Sequence, residues 1–484
     1  MAATRSDGKR LAIFAAGGFL LLFAWLVPLP TPHEVAGRSI ALTEGGKLSL
    51  GVLALVVLFW VTEVMPFAVT GFLAIVLIHA LGIQEFNQTL AKGFGHPVTA
   101  FVIGVFLLSL AVTKTGLGAR LAGLLLRRVG RNPRGIIFAF LAAGAVLAAG
   151  ISDGAVAAIL LPLAVGVLRA EGVEPLRSNF GKALMMACAW GPSVGGISTP
   201  AGTASNAISL SYLQQMGGVE RGFVDWLLLG GPAAIVLLPV AWLILVWLFP
   251  PEMERLERSP EFARVNRDRS ALTRGEWTTI AVLALTLGCW IAGPAVKQLT
   301  GITLSIEYVA FAAVLLFFVP KLDVLTWDDV HREFPWGALF LVMTGVAVGF
   351  VVGDSGVAEW LSYSLIRQLG TLPLYVSIVG TALAVCLLHN FFVSNTVTTV
   401  VLVPIVLHAA RLLEMPPWLA VAPAAFLSTM GLVLVTTAPT NMIPYTAGYF
   451  SIRDFARAGI VMSLAGSFVI GSVIYLMHVL FGIT

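Results

Sequence analysis

Apolar runs recur along the whole chain, at about 11–28, 48–63, 67–82, 97–113, 180–215, 227–249, 277–295, 305–319, 336–352, 418–448 and 458–482. They are long enough to cross a bilayer and are interrupted by few charges, the pattern of helices in lipid. The chain therefore reads as an all-α polytopic membrane protein of about eleven transmembrane helices. Two runs are broken: 180–215 at Gly191-Pro192-Ser193-Val194-Gly195-Gly196 and Pro200-Ala201-Gly202-Thr203, and 418–448 at Thr436-Thr437-Ala438-Pro439-Thr440. Irregular backbone at membrane depth is stable only where protein or a watery cavity satisfies its polar groups. Two further stretches, 135–169 and 373–413, carry a polar tripeptide at mid-length, Ser152-Asp153-Gly154 and Ser394-Asn395-Thr396. Each is best read as two half-length helices folded back into a re-entrant hairpin with the tripeptide at its tip.

Composition agrees with this pattern and excludes other classes. The 484 residues are 58% hydrophobic and 11% charged, which no soluble globular domain tolerates. A formal charge of +4 points to no nucleic-acid partner; the bases set topology instead. Cys188, Cys289 and Cys386 lie in apolar segments with no metal-binding spacing and read as small core residues. The basic head and apolar run of residues 1–30 lack a small-residue cleavage site and read as a retained first helix.

Lys114, Arg120, Arg127, Arg128, Arg131 and Arg134 form a stretch free of acids, and Arg5, Lys9, Arg10, Arg169, Arg177, Lys182, Arg453 and Arg457 fall on the same side if the spans alternate. The positive-inside rule makes that side cytoplasmic, with the N-terminus inside and the C-terminus outside an inner membrane. The organisation expected is a first helix and external loop (1–47), a first repeat (48–249) with a cytoplasmic-side hairpin at 135–169, a cytoplasmic linker (250–276), and a second repeat (277–484) with an external-side hairpin at 373–413.

The repeat is visible in the residues. Lys114-Thr115-Gly116-Leu117 answers Asp354-Ser355-Gly356-Val357, Ser152-Asp153-Gly154 with Pro162 answers Ser394-Asn395-Thr396 with Pro404, and Thr203-Ala204-Ser205-Asn206 answers Ala438-Pro439-Thr440-Asn441. Because the copies begin on opposite sides of the membrane they are inverted repeats, a construction secondary transporters use for alternating access. No P-loop is present to couple transport to ATP. No G-x-S-x-G elbow or HExxH motif supports an enzyme.

Two tips and two breaks at comparable depth define a candidate site, each tip expected to meet the break of its own half. Hydroxyls, amides and free carbonyls at Ser152, Asp153, Gly196, Thr199, Asn206, Ser394, Asn395, Thr437 and Asn441 suit a small hard cation, and hydroxyl, amide and N–H donors suit carboxylate oxygens. The tips contain no Arg or Lys. An anion there is held by neutral dipoles together with bound cations.

These residues carry a resemblance. Thr62-Glu63-Val64-Met65-Pro66, Gly95-His96-Pro97, the paired tips each followed by an apolar run and Pro, Ser193-Val194-Gly195-Gly196 leading to Ser205-Asn206-Ala207-Ile208, and Pro439-Thr440-Asn441 resemble the divalent anion/sodium symporter family of dicarboxylate, tricarboxylate and sulfate transporters over essentially the whole chain. The resemblance implies a homodimer, each protomer a scaffold plus a transport domain that moves like an elevator. It places Na⁺ at Ser152, Asp153, Gly196 and Asn206 in the first half and at Ser394, Asn395, Thr437 and Asn441 in the second. It places substrate carboxylates on residues 152–154 and 394–396, with help from Thr199, Pro200 and Pro439.

One tip departs from the family pattern, with Ser152-Asp153-Gly154 where the pattern has Ser-Asn-Thr. Gly154 removes a hydroxyl, and an ionised Asp153 can only accept hydrogen bonds. Two unit charges about 4 Å apart repel by about 4 kcal/mol at an effective dielectric near 20, so a dianion beside Asp153 requires compensation. Asp153 is paired with Na⁺, or is protonated and couples to H⁺, or faces a neutral or cationic part of the substrate. The rival reading is a structural Asp capping the second half-helix. The expectation is a Na⁺-coupled carrier of small organic anions; the alternative is a proton-coupled carrier or an anion exchanger for a carboxylate, sulfonate or sulfate. Glu63 reads as a boundary cap or pair rather than a proton carrier, and of the histidines only His389 lies near a tip.

Overall fold

The computed structural model describes residues 2–30, 32–35, 38–126, 130–257, 271–322, 324–366, 372–392 and 394–483. Arg127, Arg128 and the middle of the polar connector, 258–270, lie outside the described residues. Among the described residues the regular structure is helical apart from one antiparallel pair, His33–Val35 with Arg38–Ile40, in the loop after the first helix. Among the described residues nine helices are long and apolar enough to cross a membrane, and six more apolar helices have 10–17 residues.

Both runs are broken, but not throughout the expected stretches: Gly191 to Gly196 stays helical with Pro192 inside the helix and the first break falls at 197–203, while the second opens already after Ser428 and ends at Pro439. Helix Asn179–Gly196 stops, a turn follows, and the chain restarts as Ala204–Gln215. Pro200 stands four residues after Gly196 and has no N–H to donate to the Gly196 carbonyl. In the second half, Pro417–Ser428 gives way to a 3₁₀ turn at Val435–Thr437 and a short helix Pro439–Tyr445. Each expected hairpin is likewise two helices, Pro133–Ala148 with Asp153–Ala170 and Leu374–His389 with Asn395–Leu412. The arms of each pack against one another.

The repeated order goes beyond the motifs legible in the sequence. Short helices Phe86–Gly93 and Trp327–Glu333 precede long helices Pro97–Thr115 and Trp336–Asp354. These are followed by ten-residue helices Leu117–Leu126 and Val357–Ile366 and then by the two hairpins. Helices Phe223–Leu248 and Ile452–Phe481 close the series. No apolar run announced the ten-residue helices. Each follows a left-handed or turning Gly, Gly116 (φ 74) and Gly356 (φ 79), a conformation glycine adopts without a side-chain penalty.

The helices sort into two packed bodies. One gathers Glu44–Thr62, Phe67–Ala80, Pro97–Thr115, Arg274–Thr300, Ile306–Leu315 and Trp336–Asp354. The other gathers both hairpins, both broken helices, Phe223–Leu248 and Ile452–Phe481. Within the second body Asn179–Gly196 lies so close to Pro133–Ala148 that a Cβ on Gly195 would stand 2.2 Å from the Ala145 backbone. Charged groups fasten one end of the first body. Arg120 Nε donates to the fully buried Glu276 carboxylate at 2.7 Å. Lys114 pairs with Asp329, and that bond, with the Thr326 hydroxyl, holds the Asp329 carboxyl down at about 2. Glu252, at the start of the connector, accepts from Ser178 Oγ and from the Phe180 N–H at 3.1 Å, capping Asn179–Gly196 from outside the helix.

Candidate functional site

A cavity of ≈ 750 Å³ lies between the two bodies and receives both tips, Ser152-Asp153-Gly154 and Ser394-Asn395-Thr396. Thr203, Ala204, Thr436 and Pro439 join them from the breaks. Asp153, Asn395, Ala204 and Pro439 are the first residues of their helices, so four helix N-termini converge on one space. The positive ends of the helix dipoles make such a place hospitable to anions, although the Asp153 and Gly154 N–H groups are already bound and Pro439 has none. Neither Ser152 nor Ser394 caps its own helix through its side chain, which leaves both hydroxyls for a ligand. Among the described lining residues there is no Arg, Lys or His; the ionisable ones are Asp153, Glu63 and Glu333.

Each tip meets the break of its own half. The Asp153 N–H donates to the Gly202 carbonyl at 3.3 Å and Thr199 Oγ1 donates to the Ala149 carbonyl at 2.6 Å. Asn395 Nδ2 donates to the Thr429 carbonyl at 3.2 Å, and Thr399 and Ser428 join through their hydroxyls at 2.7 Å. The halves also cross. A Cβ on Gly154 would meet only Pro439, at 3.7 Å, so the first tip lies against the second break with room where the family pattern has threonine.

Behind the tips the breaks are built alike. Asn206 Nδ2 donates to the Gly196 and Thr199 carbonyls, both at 2.7 Å. Asn441 Nδ2 donates to the Gly431 carbonyl at 2.6 Å and the Leu434 carbonyl at 3.4 Å. Residues 206, 196 and 199 correspond to 441, 431 and 434 at one constant separation, and the backbone entering the two restarts has the same angles, φ −154 ψ 148 at Thr203 and φ −152 ψ 148 at Ala438. In both halves the amide oxygen is buried without a partner: Asn206 Oδ1 and Asn441 Oδ1, and with them Asn395 Oδ1 and His389 Nε2. Buried acceptors facing no donor are an electrostatic demand for a cation or a water.

The residues expected at the site therefore occupy two shells. Ser152, Asp153, Gly154, Ser394, Asn395, Thr396 and Pro439 line the cavity. Gly196, Asn206, Thr437 and Asn441 are buried behind it. Thr199 and Pro200 do not line it; the Thr199 hydroxyl is bound to Ala149. Thr437 Oγ1 donates to the Gly431 carbonyl at 2.5 Å. Thr203 and Thr436, named in the sequence as parts of the breaks but not as ligands, also line the cavity, as do Ser109, Thr113 and Glu333, which no motif marks. Ser109 and Thr113 share one face of a helix at a spacing of four, a signal too common to single them out.

The two halves differ at Asp153. Its Oδ1 accepts from the Gly154 N–H at 2.7 Å, which both caps the helix and uses a donor that would otherwise face an anion. The first tip thus offers a hydroxyl, a carboxylate and open space, the second an amide and two hydroxyls.

A family model described as "Sodium:sulfate symporter transmembrane region" matches residues 16–483. The chain belongs to this family. The sodium-dependent dicarboxylate transporter SdcS of Staphylococcus aureus is 28% identical over 505 residues, covering 99% of this chain and 95% of the relative. Among solved structures, the YdaH transporter of Alcanivorax borkumensis aligns with a TM-score of 0.59 at 16% identity over 98% of both chains. MtrF of Neisseria gonorrhoeae aligns at 0.55 and 13%, over 96% of this chain and 94% of that one. These two likenesses concern the fold. The chain is a multi-pass membrane transporter and not an enzyme.

Proposed function

We propose that this transporter is a Na⁺-coupled secondary-active carrier of small di- or tricarboxylates. The observation that carries the reading is the convergence of four helix N-termini on one cavity with no basic side chain among its described lining residues, backed by buried amide oxygens with no partner. Anion and cation sites built this way are mutually dependent. The N-termini and hydroxyls take the carboxylate oxygens, and Na⁺ bound behind each tip supplies the positive charge that arginine would otherwise provide. Asp153 gives the first-half cation site a formal charge, and this is the role assigned to it. Its presence also keeps H⁺ coupling or anion exchange as the second reading.

In this reading the body containing the hairpins moves as an elevator against the other, in a homodimer such as the family resemblance implies. The cavity reaches Glu63, Thr113 and Glu333, the end also marked by Lys114 and Arg120. If the bases mark the cytoplasm, the conformation is open to the inside, with the N-terminus cytoplasmic and the C-terminus external in the inner membrane. Thermal-shift measurements on the purified protein test the binding half of this scheme. Succinate or citrate at millimolar concentration is expected to raise the melting temperature by several degrees with NaCl and by less than one degree with choline chloride. Equal stabilisation in the two salts would contradict coupling to Na⁺.

A further inference from the structure

We propose that His96, Gln215 and the Tyr212–Gly349 contact form a latch between the two bodies that holds the state seen here and must release for the cavity to change sides. The proposal rests on the two-body movement of the preceding reading.

The latch lies far from the cavity. Ser109 and Thr113 of Pro97–Thr115 line the cavity, whereas His96 sits at the other end of that helix, about 20 Å away from Ser109 at 1.5 Å per residue. His96 Nδ1 accepts from the Val98 N–H at 3.1 Å and so caps the helix. The neutral ring's proton is then on Nε2, which donates to Ser211 Oγ at 3.2 Å and, with the Gln215 amide turned to present its oxygen, to Gln215, both on the mobile body's Ala204–Gln215. The imidazole stacks on Phe350 at 5.4 Å, and Phe350 meets the Tyr212 ring edge-on at 5.1 Å. His96 is therefore a buried polar tie between one helix of each body.

The second part is steric. Trp336–Asp354 presents Gly345, Gly349 and Gly353, one every four residues, hence on one face. Side chains of the other body are seated over them. A Cβ would stand 2.9 Å from Val400 at Gly345, 1.9 Å from the Tyr212 hydroxyl at Gly349 and 2.3 Å from the Met216 methyl at Gly353. The Tyr212 hydroxyl reaches the Gly345 and Val346 carbonyls only at 3.5 Å, so shape rather than hydrogen bonding fixes it. Seats repeating once per turn allow the ring and the thioether to leave one notch and enter another as the bodies slide, and the His96 tie decides which seating persists.

Spin labels at Leu299→Cys on the first body and Arg177→Cys on the second, both exposed, report the relative position of the bodies by electron–electron distance measurement. They are placed in the full-length protein with Cys188, Cys289 and Cys386 changed to alanine. Gln215→Ala removes one of the two partners of His96 Nε2, leaving Ser211 Oγ, without touching the helix cap. It is expected to shift the ratio of the two distance populations about fivefold away from the present state. Gly349→Ala is expected to shift it tenfold or more, with KM for the anion changed less than about twofold while Vmax changes. Identical populations in wild type and both variants would overturn the latch. If Gly349→Ala does not fold, Gln215→Ala, an exposed position, decides alone. A single distance in wild type under every condition of Na⁺ and succinate would overturn the movement itself, and the latch with it.

Discussion

Asp153→Asn is expected to raise the Na⁺ concentration for half-maximal uptake by about tenfold or more, roughly 1.4 kcal/mol of lost cation affinity. It should leave the protein folded. Asn keeps an Oδ1 to accept from the Gly154 N–H, so the hydrogen bond at 2.7 Å survives; what disappears is a full charge at a site otherwise built of dipoles. A charge removed a few ångströms from a bound ion costs more than most surface pairs return, because the tips lie between helices rather than in bulk water. Initial uptake rates in proteoliposomes across a Na⁺ series and a pH series measure it. A changed pH dependence with unchanged Na⁺ dependence would move the coupling to H⁺, and no change in either would leave Asp153 a helix cap.

Asn441→Ala and Asn206→Ala are expected to reduce uptake to about one hundredth of wild type, each by the same mechanism. Each amide donates to two main-chain carbonyls of its own break. Loss of the amide withdraws one donor from each of two buried carbonyls, at about 1–3 kcal/mol where no other donor remains. The Thr199 carbonyl keeps the Gly202 N–H and the Gly431 and Leu434 carbonyls keep Thr437, so it is the loss of these ties together with the unpartnered amide oxygen that unseats the tip. Uptake normalised to reconstituted protein tests the pair. Retention of more than half the activity by either variant would show that the two breaks are not equivalent supports of the site.

The parts of this site that were legible in the sequence were those that disturb a pattern. Pro200, Pro439 and the polar tripeptides interrupt apolar runs, and a polar group at membrane depth has few explanations. Asn206 and Asn441 stood out because they recur at matching places. What stayed hidden was whatever looked like ordinary helix. Ser109 and Thr113 line the cavity but sit in Pro97–Thr115 as small hydroxyls do in many membrane helices. Gly345, Gly349 and Gly353 read as small residues with no stated partner, and only the position of Tyr212, 133 residues from the carbonyl it faces, gives them a use. The resemblance named Thr199 and Pro200 as substrate contacts, while the fold places the Thr199 hydroxyl on the Ala149 carbonyl. Local pattern reports where a chain breaks; which broken ends share a cavity is a long-range property.

Cation and anion are expected to cross together. Proteoliposomes with an empty, Na⁺-free lumen are diluted into labelled succinate or citrate with either NaCl or choline chloride outside. Accumulation above the equilibrium level that requires the inward Na⁺ gradient, and collapses when a Na⁺ ionophore is added, is the predicted result. Uptake indifferent to Na⁺, or seen only when unlabelled anion is loaded inside, would contradict it.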